Sequence, residues 1–565
     1  MPQSIFGRWF PWHKLPRIFG LLRLNSFRNQ MRERNLSDTQ APHLKEITSP
    51  GLPDPTAQQK TARTADGAYN DPGKPRMGAA GMRFGRNIPL DRAVVNEPAL
   101  MTPSPRVVSR ELMTRGRFQP ATALNLLVAA WIQFQVHDWF SHGKNEDANP
   151  YAVPLPSKDD WPKPQMLVNR TRRDPTRPAD DANKTPSFIN TETHWWDGSQ
   201  LYGSDAATER LVRSFEHGKL KLDADGLLPV DPRTGVDITG VNGNWWVGLS
   251  MLHTLFTLEH NAICDRLRRD FPAWSDEELF LRARLVNAAV MAKIHTVEWT
   301  CAILAHPTVQ AGMNDNWTRI RKSKAEHHAA PFSMTEEFVA VYRMHPLMPD
   351  QFVFRSINDG RILQERTLPR VANRHAREVM KQVSLADLFY SFGVAHPGAI
   401  TLHNYPRFLQ NLALDGDVKM DLAAVDILRD RERGVPRYNE FRKLVGLDRI
   451  EKFEDLSDNK DWCEEIRRVY SYDIDAVDLM VGMYAEPLIP RMGFSETAFR
   501  IFLLMASRRL QSDRFFTTDY NEKTYTRAGL DWIEQATMAS VLIRHLPQLK
   551  PSLSKVENAF SPWPG

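Results

Sequence analysis

The chain reads as a mainly α, large single-domain protein. Three observations predict that class: apolar residues recur at helical spacing over most of the chain, strand signals are few and short, and no internal repeat or heptad array divides the sequence. Of 565 residues, 42% are hydrophobic and 25% charged, ordinary globular usage that excludes a disordered or collagen-like chain. A chain of this length can bury a core large enough to enclose a bulky group.

Residues 1–35 carry seven basic side chains against one acid, Glu33. Between them lie Trp9, Phe10, Trp12, Ile18, Phe19, Leu21, Leu22, Leu24 and Phe27. A basic segment with interleaved aromatic and leucine residues suits an anionic membrane surface, or else an arm packed on the protein's own body. Residues 36–120 are rich in Pro and Gly (PGLPDP, DPGKP, GAAG) and read as an extended wrapping segment. Residues 121–565 form the helical body, with helices expected over 120–141, 246–270, 276–303, 333–346, 384–394, 421–432, 475–485 and 495–512. The stretch 142–190, with repeated Pro and Asp, reads as irregular.

Lys and Arg exceed Asp and Glu by only five, so no general nucleic-acid-binding surface is expected. Cys264, Cys301 and Cys463 are too scattered for a disulfide scaffold or a cysteine-rich zinc site. No run reaches the ~18 apolar residues of a membrane span, and Lys14, Pro16, Arg17 and Arg23 break the N-terminal apolar part of a secretion signal. An intracellular, reducing location is expected, soluble or peripheral to a membrane.

Four segments carry chemistry. In WIQFQVHDWFSH (131–142), Gln133 and His137 share a helix face, and Asp138 points about 100° away; His137 is either a core histidine or an acid-base group. In TETHWWDGSQLYGSD (191–205), Thr193, Trp195, Asp197 and Ser199 alternate, so hydroxyl, carbonyl and carboxylate oxygens converge in an extended loop. Calcium prefers that set, with Asp138 as a further carboxylate; an Asp-Gly turn is the plainer reading. In VYRMHPLMPD (341–350), Tyr342 and His345 are three apart on a helix that Pro346 closes. The histidine is placed to ligate iron or to cap the helix. In FLLMASRRLQSDRFFTTDYNEKTYT (502–526), Arg508, Arg509 and Arg514 end an apolar helix, either to receive a carboxylate or as a solvated end.

Together these segments resemble the animal-type haem peroxidase and cyclooxygenase superfamily, as do FTLEHNAICDRL (256–267) and DLAAVDILRDRERGVPRYNEFRK (421–443). SETAFRIFLLMASRRLQSDRFFTTDYNEKTYT (495–526) and HTVEWT (295–300) are similar, more narrowly, to the fatty-acid α-dioxygenases. The resemblance spans roughly residues 80–550, and the segment 301–340 is shorter than in plant members. It implies a haem peroxidase fold, one non-covalent haem b and a structural Ca2+. It implies His137 as distal histidine with Gln133 beside it, His345 as proximal iron ligand and Tyr342 as radical former. Asp138, Thr193, Trp195 (by its carbonyl), Asp197 and Ser199 become calcium ligands; His295, Thr300 and Arg509 hold the substrate carboxylate, with Arg508 a neighbour in that role.

The implied reaction starts with a peroxide activator. Tyr342 then takes hydrogen from C2 of a long-chain fatty acid, O2 adds, and the 2-hydroperoxy acid decarboxylates to an aldehyde one carbon shorter. Two other readings are a peroxidase or halogenating enzyme using small donors, and a non-enzymatic membrane-associated module. The Tyr342–His345 spacing and the arginine-bearing C-terminal helix disfavour the first; intact His137, Tyr342 and His345 disfavour the second.

Overall fold

The computed structural model describes residues 11–39, 55–177, 185–321, 323–414 and 418–565. Part of the basic N-terminal segment (1–10) and part of the wrapping segment (40–54) lie outside the described residues. Helices dominate. Those that build the site are α1 (Arg17–Arg34), α2 (Leu127–Trp139), α3 (Val247–Asp270), α4 (Asp276–Ile294), α5 (Pro307–Ile320), α6 (Glu336–Val341), α7 (Leu385–Val394), α8 (Leu422–Glu432) and α9 (Glu496–Gln511). Three antiparallel two-stranded sheets are small: β1 (Glu146–Val153) with β2 (Met166–Arg170), β3 (Gln351–Arg355) with β4 (Ile362–Thr367), and β5 (Leu412–Leu414) with β6 (Val418–Met420).

Local chemistry sets the helix starts. Ser275 caps α4 in a reciprocal box with Glu278, Thr335 accepts the Phe338 N–H at the start of α6, and Ser495 accepts the Ala498 N–H at the start of α9. α2 is buried almost throughout and ends where Phe140 turns extended. α2, α3, α4 and α9 contribute to one contiguous hydrophobic core. The wrapping segment is tied to it by single bridges and buried charges. Arg86 pairs with Glu337 at 2.7 Å and donates to the carbonyls of Arg433 and Gly434.

Four expectations need correction. The stretch 142–190 is not irregular throughout, because it holds the β1–β2 hairpin; Tyr151, Val153, Met166 and Val168 point inward in alternation onto a small satellite core with α8. The helix expected over 276–303 is interrupted by a π turn, His295–Trp299, before Thr300–Ile303 resumes. The helix expected over 333–346 stops at Val341. Tyr342 is its C-terminal cap, and His345 opens a separate 3-10 turn, His345–Leu347. Pro346 has no amide to donate and disfavours α geometry at the residue before it. The predicted helix 475–485 likewise splits into a 3-10 turn, Ile474–Ala476, and a helix, Leu479–Ala485. Among the described residues no helix is long and apolar enough to cross a membrane.

Candidate active site

Three consecutive side chains at the end of α2 face three surroundings. At about 100° per residue, His137 and Trp139 lie on nearly opposite faces, with Asp138 between them. His137 is buried, and its Nδ1 has no hydrogen-bond partner. Burial lowers its pKa to about 4, so the ring is neutral at pH 7. Gln133, one turn back, accepts from Trp246 Nε1 (2.7 Å) and donates to the Asn244 carbonyl (3.1 Å). The 244–246 loop therefore holds this amide, which keeps one N–H for a neighbour of His137.

On the Trp139 side lies a narrow buried cavity lined by Trp139, Trp196, His295, Thr300, Tyr342 and Arg509 among others. Arg509 comes from α9, and its Nε and Nη2 have no partner. The guanidinium is sandwiched 4.1 Å from the Trp139 ring and 4.4 Å from Trp196. Burying an unpaired cation costs several kcal/mol; two aromatic faces offset part of that, on the order of 2 kcal/mol each when desolvated. Burial lowers the Arg509 pKa to about 10, while Asp138 and Tyr342 pull the other way, so the group stays charged at neutral pH. Tyr342 is pushed up by burial and keeps its phenolic proton; its ring meets Trp139 edge-on at 5.6 Å.

The π turn explains why His295 and Thr300 both reach this cavity. Five residues apart, they would diverge by about 140° on an α-helix. Here the Thr300 amide bonds to the His295 carbonyl, the i to i+5 pattern that stacks them on one side. Trp131 Nε1 donates to His295 Nδ1 at 3.2 Å. With Nδ1 accepting, the neutral ring carries its proton on Nε2 and is a donor there. Thr300 Oγ1 is buried without a partner. One cation and two neutral donors thus line the pocket that Tyr342 also borders.

Arg508 is a correction. It is fully buried, but its Nη2 is spent on the carbonyls of His327, Ala330 and Pro331. One residue along a helix turns it about 100° from Arg509 and away from the cavity.

Three residues after Tyr342, the His345 ring keeps 32% of its surface exposed, although Tyr342, Pro346 and Leu347 are buried. Its Nδ1 lies 2.8 Å from Asp426 Oδ2 on α8, with the ring turned off the in-line angle. That leaves Nε2 as the nitrogen available to a metal.

The 193–199 loop packs directly on α2. Ser199 donates to Asp138 Oδ1 from its amide (2.6 Å) and its hydroxyl (3.0 Å). Gly198, at φ +81°, makes the turn; a Cβ there would meet Tyr202 at 2.8 Å. Asp138 and Asp197 are both fully buried; burial and the Asp197 charge raise the Asp138 pKa to about 8, and burial, with Asp513, raises that of Asp197. Asp138 Oδ2, Asp197 Oδ2 and Thr193 Oγ1 are left without hydrogen bonds, and Arg284 approaches Asp197 only to 3.4 Å. Trp195 is buried here too, stacked on Phe332 and donating to Gly67. Among the described residues no group of three or more His, Cys, Asp or Glu converges, so any ion here would rely on hydroxyl and carbonyl oxygens besides the two carboxylates.

An apolar groove of about 520 Å3 runs between α1, α5 and α9. It shares Met313, Phe502 and Ala506 with the Arg509 cavity, so the two meet there. α1 is its roof. Arg32 locks α1 down through the Leu504 carbonyl (3.0 Å), Ser507 (2.8 Å) and Gln511 (2.7 Å), and Trp12 stacks on Phe499. Ile18 and Leu22 at the groove margin and Phe19 outside it are each more than 60% exposed. Sequence reasoning missed Trp139, Trp196, Asp426 and the groove. Trp139 and Asp426 sat inside segments already singled out, where an aromatic or acidic residue on a helix gives no separate signal.

Residues 62–560 match the family described as animal haem peroxidase. "Alpha-dioxygenase 2" of Arabidopsis thaliana is 39% identical, covering 98% of this chain and 91% of its own length. A crystal structure of the Oryza sativa fatty acid alpha-dioxygenase with palmitic acid superposes with a TM-score of 0.91 at 36% identity, over 99% of this chain and 95% of that one. The Arabidopsis thaliana fatty acid alpha-dioxygenase structure gives 0.89 at 36% identity, over 98% and 90%. The chain therefore belongs to the animal haem peroxidase family and, within it, to the α-dioxygenases, oxidoreductases of mainly helical fold.

Proposed function

We infer that the protein oxygenates long-chain fatty acids at C2. The observation that carries this reading is Arg509: a buried cation with two unpartnered nitrogens, in the same cavity as Tyr342. A carboxylate is its natural complement. Arg509, the His295 Nε2–H and the Thr300 hydroxyl supply the donors. With the head group fixed there, C2 is the first carbon within reach of Tyr342, and the tail leaves past Met313, Phe502 and Ala506 into the groove under α1.

The family supplies a haem, and we assign haem b to the crevice between His137 and His345. The bare His345 ring and the unpartnered His137 Nδ1 fit that assignment. When bound, the haem supplies the oxidising equivalents from a peroxide. His137 takes the proton from the incoming peroxide and returns it to the leaving oxygen. Tyr342 yields an electron and a proton, then recovers a hydrogen atom from C2 of the substrate. O2 adds to the C2 radical, Tyr342 returns a hydrogen atom to the resulting peroxyl radical, and the 2-hydroperoxy acid loses carbon dioxide and water to give the shortened aldehyde. α2 is the wall between the two half-sites, with His137 on one face and Trp139 on the other. Haem-loaded protein should consume oxygen with palmitate in an oxygen electrode; dye oxidation by hydrogen peroxide with no palmitate-dependent uptake would favour the small-donor peroxidase instead. His345→Ala should lose the Soret band or shift it; an unchanged spectrum and haem content would remove His345 as the ligand.

We assign Ca2+ to Asp138, Asp197, Thr193, Ser199 and the Trp195 carbonyl. The partnerless oxygens of two repelling buried carboxylates are the support. An ion there pins the end of α2 that carries His137. Asp197→Ala should lower bound calcium by elemental analysis and haem occupancy with it. A fully active, metal-analysed preparation without calcium would reduce the site to a turn.

The outward face of α1 supports contact with an anionic lipid surface, through Ile18, Phe19 and Leu22 beside basic residues. Deleting 1–35 is a poor test, because α1 also roofs the groove. Changing Phe19, which does not line the groove, to Ser should weaken sedimentation with anionic vesicles and leave turnover of dispersed short acids intact. Equal sedimentation would discard the contact.

A further inference from the structure

We propose that Arg509, besides holding a carboxylate, confines the radical to Tyr342: stacked 4.1 Å from Trp139 and 4.4 Å from Trp196, its charge makes these indoles poor electron donors. The inference rests on the reading of Tyr342 as radical former. Indoles and phenols are oxidised with similar ease, and Tyr342 borders a row of indoles. Trp139 meets its ring edge-on at 5.6 Å, and Trp196 meets Trp139 at 5.8 Å. Rings in such contact present little obstacle to electron transfer. In the escape step, the Tyr342 radical takes one electron from Trp139 and one proton from its surroundings and becomes a phenol again. Trp139 is left one electron short, and the oxidising equivalent is no longer available for the C2 hydrogen.

Two features of the site oppose that step. Removing an electron from Trp139 puts a positive charge on a ring already stacked against a guanidinium, and like charges this close repel strongly in a buried site. Nor can the indole shed the charge as a proton. Trp139 Nε1 is buried and bonded to nothing, and Trp196 Nε1 donates to the Gln135 amide oxygen at 2.9 Å, which is not a base. Tyr342 differs because it gives up an electron and a proton together, so its radical is neutral and is not repelled. Burial raises the pKa of the phenol, and the Arg509 charge pulls it back, easing loss of that proton. One cation thus disfavours an indole radical and favours a phenoxyl radical. A bound carboxylate weakens this guard, but only when the C2 hydrogen is at hand for Tyr342 to take.

The test is electron paramagnetic resonance of haem-loaded full-length protein, frozen at intervals after hydrogen peroxide is added without fatty acid. Ring-deuterated tyrosine or tryptophan assigns the signal. The parent should show a tyrosyl radical alone, absent in Tyr342→Phe. Arg509→Met, which removes the charge and keeps the length, should show a tryptophanyl radical. Its tyrosyl lifetime should shorten about tenfold or more, the least that losing a buried charge at this distance implies. Arg509→Lys keeps the charge and should resemble the parent. Arg509→Met combined with Trp139→Phe should restore the tyrosyl lifetime; a residue that only shaped the fold would not be rescued by removing the indole. A parent-like radical and lifetime in Arg509→Met would overturn the proposal, as would no recovery in the double variant. If Arg509→Met does not retain haem, Arg509→Gln is the neutral variant read in the same way, alone and with Trp139→Phe. A parent without a tyrosyl signal that depends on Tyr342 would instead overturn the reading of Tyr342, and the proposal with it.

Discussion

Tyr342→Phe is expected to bind haem as the parent does and to leave oxygen uptake with palmitate at background. Tyr342 lines the cavity that holds the proposed substrate donors, three residues before the turn that carries His345. Trp139 and the end of α2 stand between that cavity and His137. On the proposed reading the haem and C2 lie in different cavities, and Tyr342 is the hydrogen-atom carrier that connects them. Phe fills the same volume against Trp139 and Phe338 but has no O–H to give up. Peroxide-driven dye oxidation should survive, because it needs His137 and not the phenol. An oxygen-electrode trace beside a haem spectrum on one preparation checks this. Near-parental conversion of palmitate by the Phe variant would rule out Tyr342 as the abstracting group.

Arg509→Ala should raise KM for fatty acids roughly ten- to hundredfold, since losing a hydrogen bond to a buried charge costs about 1.5–3 kcal/mol. The neutral donors His295 and Thr300 remain but cannot balance the carboxylate charge, so binding falls more than haem content. Position suffers as well: with the head group loose, C2 is no longer the only carbon held at Tyr342. Some oxygen should appear further along the chain, read by mass spectrometry. Arg508→Ala serves as the contrast, because it unties the 327–331 carbonyls and should cost stability more than KM. An unchanged KM and product profile for Arg509→Ala would move the anchor elsewhere.

The sequence made the helices readable where burial is one-sided or complete. α3, α7, α8 and α9 begin and end within two residues of the apolar periodicity. It did not show where helices break for function. Nothing in HTVEWT marks a π turn, yet that extra residue brings His295 and Thr300 together. Pro346 signalled a stop after His345, but the break comes earlier, so Tyr342 and His345 are linked by a turn and not stacked on one helix. Arg508 and Arg509 are both buried, and periodicity cannot separate adjacent residues of a helix buried on most sides; only the 327–331 carbonyls do. The basic N-terminal pattern was compatible with a membrane arm or a packed one. α1 buries Leu24, Met31 and Arg32 and leaves Ile18, Phe19 and Leu22 largely exposed, a division that no composition count reveals.

The most direct test of carboxylate anchoring beside Tyr342 is the position of oxygenation. Haem-loaded protein is incubated with palmitate under isotopically labelled oxygen, and the products are trapped by reduction and analysed by mass spectrometry. The expected result is label at C2 of the hydroxy acid, accompanied by the aldehyde one carbon shorter. Label in the middle or at the far end of the chain, with C2 untouched, would contradict the placement of the carboxylate on Arg509.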